Sequence, residues 1–95
     1  MLHELFLVIK DRQTHPTEES YTARLFAGGE DAILKKVGEE AMEVILAAKG
    51  QGDQRIVEET ADLFYHCLVL LAQFGLDLDD VEEELRRRHL QKTMP

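Results

Sequence analysis

Two stretches of about twenty residues, each repeating its apolar side chains at helical intervals, meet at Gly50-Gln51-Gly52. Three residues are too few to do anything but fold the second stretch back along the first, so this chain is built around an antiparallel helical hairpin. From Glu30 to Lys49 the apolar residues are Ile33, Val37, Ala41, Val44, Ile45 and Ala48, and Gly50 supplies the stop. The second stretch runs from Asp53, read as its cap, to Phe74, with Gly75 ending it. Leu2, Leu5, Phe6 and Ile9 predict a first helix that ends before Pro16, and Asp77 with Asp80 predicts a capped last helix from Leu78 to about His89. Between Thr14 and Ala27 a loop and a short helix are expected, with Thr17 able to cap it. No segment alternates with period two for long enough to make a strand. The fold class is therefore all-α: a single domain over residues 1–95, with four main helices around the central hairpin.

Ninety-five residues leave no room for a second domain or a large cofactor fold. A monomer this small buries only about 60 to 65% of the surface of its unfolded chain, which makes pairing with a second copy an economical route to stability. A net charge of −8 repels a phosphate backbone, which excludes a nucleic-acid partner. Cys67 is the only cysteine, so neither an internal disulfide nor a cysteine-based zinc site can form. The start Met1-Leu2-His3-Glu4-Leu5 lacks the basic residues of a signal peptide and no apolar run approaches ~18 residues, so no membrane partner and a cytosolic location are expected.

The charges on the hairpin carry the chemistry. At about 100° per residue, Glu40 and Glu43 border the apolar stripe of their helix, with Lys36 beside them and Glu39 turned outward. On the following helix Glu59, Asp62 and His66 form one narrow polar strip on an otherwise apolar cylinder, expected to be largely buried. Antiparallel packing brings the two acidic edges together. At about 6 Å and an effective dielectric near 20, each pair of ionised carboxylates repels by about 3 kcal/mol. Divalent cations relieve such crowding, because Mg²⁺ and Mn²⁺ prefer hard oxygen ligands. Charge runs on helices are more often solvated faces, and Glu82-Glu83-Glu84 with Arg86-Arg87-Arg88 reads as one, paired at i to i+4. The strip of Glu59 and Asp62 fits that reading poorly, since its helix has so little other polar surface.

The run Lys35-Lys36-Val37-Gly38-Glu39-Glu40-Ala41-x-Glu43, followed by Glu59-x-Ala61-Asp62-Leu63-x-Tyr65-His66, resembles the phosphoribosyl-ATP pyrophosphohydrolase family of histidine biosynthesis. The broader pattern, EExxE then ExxD, is that of the MazG-type all-α nucleoside triphosphate pyrophosphohydrolases. Ser20-Tyr21-Thr22 and Leu25-Phe26 resemble the histidine-pathway members in particular. The resemblance implies Mg²⁺-dependent hydrolysis of the α,β phosphoanhydride of phosphoribosyl-ATP, with Mn²⁺ a possible substitute, in a homodimer. It implies Glu40, Glu43, Glu59 and Asp62 as metal ligands, and Glu39 as a further ligand or the general base. Lys36 and Lys35 would meet phosphate oxygens, and Ser20, Tyr21 and Thr22 the substrate. Arg24 has the chemistry to reach a phosphate, though nothing local demands it. His66 reads as a hydrogen-bonded supporting residue and Cys67 as core. Some members are fused to the cyclohydrolase of the next step, which this chain lacks the length and thiols to contain, so that activity is expected from a separate protein.

Three alternatives stand beside this reading. The same enzyme class acting on noncanonical or surplus nucleotides would rank its substrates in the opposite order. A non-enzymatic acidic interaction module would not respond to Mg²⁺. A carboxylate-bridged di-iron bundle needs Glu-x-x-His pairs, and no histidine here has a glutamate three residues before it.

Overall fold

The computed structural model describes residues 1–90, and every element among them is helical. α1 spans Leu2–Thr14, α2 Tyr21–Ala27, α3 Glu30–Gly50, α4 Asp53–Gln73 and α5 Leu78–Leu85, which continues as a turn of π-helix over Arg86–Leu90. α3 and α4 form the hairpin, α1 lies against α4 and α2, and α2 bridges α1 to α3. Beyond Gly75 the chain turns by 111° into α5.

The hairpin closes through Gln51 and Gly52 alone. Gly52 takes φ +93°, in the left-handed region that an L side chain avoids, and it is also the N-cap of α4. Asp53 is thus the first residue of α4, not its cap, and no side chain caps that helix; its charge still favours the positive end of the helix dipole. The α2 cap is likewise Ser20 instead of Thr17: its Oγ accepts from the Ala23 N–H at 3.1 Å. At α5 the expected capping box forms, with Asp77 and Asp80 each accepting from the other's end of the first turn.

The core gathers Phe6 and Ile9 of α1, Leu25 of α2, Ile33 of α3, Leu68, Val69 and Ala72 of α4, and Leu78 of α5. Gln13 fixes the end of α1 by donating to the Ala72 carbonyl at 3.2 Å. The acidic run of α5 and the basic run after it are a solvated face as expected, but only Glu84 with Arg88 pairs at i to i+4; Glu83 with Arg86 and Glu84 with Arg87 pair three residues apart. Among the described residues no single helix is long and apolar enough to cross a membrane.

The hairpin seam departs from the helical wheel. Buried on α3 are Ile33, Glu40 and Ala47, seven residues apart, while Ile45 and Ala48 face outward. On α4 two members of the polar strip, Glu59 and His66, are buried, again seven apart, while Asp62 is exposed, and Val57 and Phe64 are more than half exposed. That seven-residue step is the seam of two helices packed nearly antiparallel. The apolar arc of each helix is wider than one neighbour can cover, and summing it places the centre of the wheel too far from the seam. Glu40 therefore lies within the buried seam and not at its border, and α4 is not buried around most of its circumference.

Candidate active site

Glu40 and Glu59 reach the same level of the seam because α3 and α4 run in opposite directions from one short turn. Both are buried, at 9% and 6% exposure, and Asp62 stands one turn further along α4 at the solvent edge. One carboxylate oxygen from each of these three residues lies within 4.8 Å of the others. Glu43, a turn nearer the hairpin on α3, and half-exposed Glu39 line the same open cleft of about 470 Å³ without entering that cluster. Of the five acids expected, the structure brings three into ligand distance of one another and sets two around them.

Two cations attend the seam. Lys36 Nζ lies 3.2 Å from Glu40 and 3.9 Å from Glu39. Its hydrogen bond to the Glu40 carboxylate is the main cause that raises its pKa above the ordinary lysine value, so it is an ammonium throughout the physiological range. Arg55, one turn before Glu59, reaches Glu58 with one guanidinium nitrogen and buried Glu59 with the other. The sequence reading passed over Arg55; its signal was the i to i+4 spacing to Glu59 on one helix face.

A second set of bonds ties α2 to α4 beside Asp62. His66 Nδ1 lies 2.7 Å from the Asp62 carbonyl, which only accepts, so Nδ1 donates there, and Nε2 is hydrogen-bonded to the Tyr21 hydroxyl at 3.0 Å. The Thr22 and Tyr65 hydroxyls are hydrogen-bonded to each other, and burial pushes the Tyr65 phenol up, which keeps it protonated. Tyr65 packs edge-on against His66 at 4.9 Å between ring centroids. His66 is thus the hydrogen-bonded supporting residue expected. Ser20 commits its side chain to capping α2 and Thr22 its hydroxyl to Tyr65 of α4, while Tyr21 and Lys36 line one cleft. Lys35 is exposed and lines a neighbouring cleft. Cys67 is half-buried, and burial raises its thiol pKa.

The donor set suits a divalent metal. Three clustered carboxylates are hard oxygen ligands, and the two that are buried each meet a cationic side chain through one oxygen, Glu40 with Lys36 and Glu59 with Arg55, which leaves the other oxygen of each to a metal ion.

Comparison with known proteins agrees. A family model described as phosphoribosyl-ATP pyrophosphohydrolase matches residues 2–89. The chain is 51% identical over 88 residues to the phosphoribosyl-ATP pyrophosphatase of Geotalea daltonii, covering 93% of this chain and 83% of that one. It is 52% identical over 87 residues to the protein of that name from Lactiplantibacillus plantarum, covering 92% and 82%. It is also 51% identical over 84 residues to the histidine biosynthesis bifunctional protein HisIE of Oceanobacillus iheyensis; 88% of this chain spans 39% of that relative's length. On the match along 2–89 and the acids gathered at the hairpin seam, the chain belongs to the phosphoribosyl-ATP pyrophosphohydrolase family.

Proposed function

We propose that this protein hydrolyses the α,β phosphoanhydride of phosphoribosyl-ATP to phosphoribosyl-AMP and pyrophosphate, the second step of histidine biosynthesis, with Mg²⁺ as its metal and Mn²⁺ as a substitute. The observation that carries the reading is the convergence of Glu40, Glu59 and Asp62 oxygens within 4.8 Å, two of them from buried residues. These three residues would hold the metal, with Glu43 completing the set from the cleft wall. Bound there, Mg²⁺ supplies positive charge for phosphate oxygens and lowers the pKa of a bound water. Glu39, half-exposed on the cleft rim, would serve as a further ligand or as the general base that takes a proton from the attacking water. Lys36, a constant cation 3.2 Å from Glu40, donates to the polyphosphate as charge develops on the leaving group. Lys35, Ser20, Tyr21 and Thr22 complete the substrate set through family likeness.

In the presence of Mg²⁺, the purified protein should release pyrophosphate from phosphoribosyl-ATP with kcat/KM on the order of 10² or more above that for ATP or deoxynucleoside triphosphates. Chelator should abolish turnover, and Mg²⁺ or Mn²⁺ restore it. The reverse substrate ranking would make the protein a house-cleaning pyrophosphatase, turnover that survives chelator would remove the metal, and absence of turnover with a stability indifferent to Mg²⁺ would leave only an acidic interaction module.

The working unit in this reading is a homodimer. Leu34, Met42, Ile45 and Leu46 on α3, with Val57 and Phe64 on α4, are exposed in the single chain, and apolar side chains exposed together mark surfaces that a protein partner covers. The radius of gyration is 15.2 Å, against roughly 12 Å for a compact chain of this length. Sedimentation equilibrium should give twice the 10.9 kDa chain mass at micromolar concentration; a single-chain mass would remove the dimer.

A further inference from the structure

Beside the acidic cleft, where α2 meets α3, lies a second cleft of about 350 Å³ with the opposite charge. Lys36 and Glu39 line both, so the two are continuous along α3. Leu25 and Ala32 give its wall apolar surface, Tyr21 an aromatic ring, and Arg24 and Lys35 positive charge. Three cations face one carboxylate there, in a chain whose net charge is −8. Among the described residues neither Arg24 nor Lys35 is paired with a carboxylate. Arg24 Nη1 instead donates to the Glu18 backbone carbonyl at 2.8 Å, which orients the guanidinium and leaves its charge uncompensated. Tyr21 is fixed by its bond to His66, so the wall is held in place from α4.

We propose that this second cleft is the subsite for the phosphoribosyl end of the substrate, with Arg24 and Lys35 gripping its phosphomonoester; the inference rests on the hydrolase reading above. A phosphomonoester carries about −1.5 to −2 charges at pH 7 and presents three acceptor oxygens. A guanidinium fork and an ammonium match it without any metal. The polyphosphate end has its own attendants in the acidic cleft, namely the metal-binding carboxylates and Lys36. The apolar lining and the Tyr21 ring suit the sugar and base between the two anionic ends. Arg24 and Lys35 thus distinguish phosphoribosyl-ATP from ATP, which has no second phosphate end. Departing pyrophosphate shares the phosphate chemistry, and the test must separate it.

Calorimetry in metal-free buffer, using the full chain and its R24Q, K35Q and double variants, compares phosphoribosyl-AMP, AMP and inorganic pyrophosphate. Wild type should bind phosphoribosyl-AMP about tenfold tighter than AMP, the ordinary yield of charge-assisted hydrogen bonds at a solvent-accessible site. Each single variant should cut that ratio to below about threefold, and the double variant should bring it to about one. Both residues are exposed, so circular dichroism should show unchanged helicity. A ratio that survives in the double variant overturns the subsite, as does an equal loss of affinity for pyrophosphate. If wild type fails to hydrolyse phosphoribosyl-ATP, the hydrolase reading itself falls; if it hydrolyses it while the ratio ignores Arg24 and Lys35, only this inference does.

Discussion

Glu40→Gln should lower turnover by more than about 100-fold, the upper end of what removing even an outer partner of a metal costs, while the helical content stays as it was. The side chain occupies a buried seam position, 3.2 Å from Lys36 and within ligand distance of Glu59 and Asp62. Glutamine keeps the volume and can accept the same hydrogen bond from Lys36, so the seam has no reason to open. It removes one of three clustered negative charges, so the mutual repulsion of the carboxylates falls, and the thermal midpoint should hold or rise. Steady-state kinetics with saturating Mg²⁺ and a melting curve on the same sample make the comparison. Unchanged turnover would take Glu40 out of the site, whereas a collapse of both activity and helicity would make it a structural residue.

Ile33→Ala should do the opposite, costing stability first. Ile33 is 1% exposed and belongs to the cluster that joins all five helices. Truncating a buried isoleucine to alanine costs about 2–5 kcal/mol, because the cavity adds to the lost transfer energy. Small domains hold only about 5–15 kcal/mol in all. The thermal midpoint should fall by at least about 10 °C at fixed protein concentration. A fall of less than about 2 °C would show that the seam around Ile33 contributes little to holding α3 against α4.

These two neighbours, one heptad apart on α3, show what could be read in advance. Apolar spacing and the glycine turn gave the hairpin, since both signals are local and agree. Asp77 with Asp80 gave the α5 cap for the same reason. The acids that meet were legible because their spacing places them on facing edges of helices whose antiparallel order was already certain. The depth of Glu40 was not legible: Ile45, Val57 and Phe64 carry the hydrophobicity of a surface that the single chain leaves open, and a wheel cannot tell them from seam residues. Thr17 and Ser20 both have capping side chains, and only the position of the Ala23 N–H decides between them. The Tyr21–His66 bond joins residues 45 apart, for which no short spacing rule exists.

The three clustered acids come from one uninterrupted stretch, closed on itself by Gln51 and Gly52. Bringing them together needs a loop of minimal length, whose closure entropy is small, and no contact from a distant part of the chain. Such a unit is portable: grafts, insertions or covalent attachment to another enzyme outside Glu30–Gln73 leave its chemistry whole. The two-enzyme relative from Oceanobacillus iheyensis, in which this chain matches less than half the length, is the kind of fusion that portability permits.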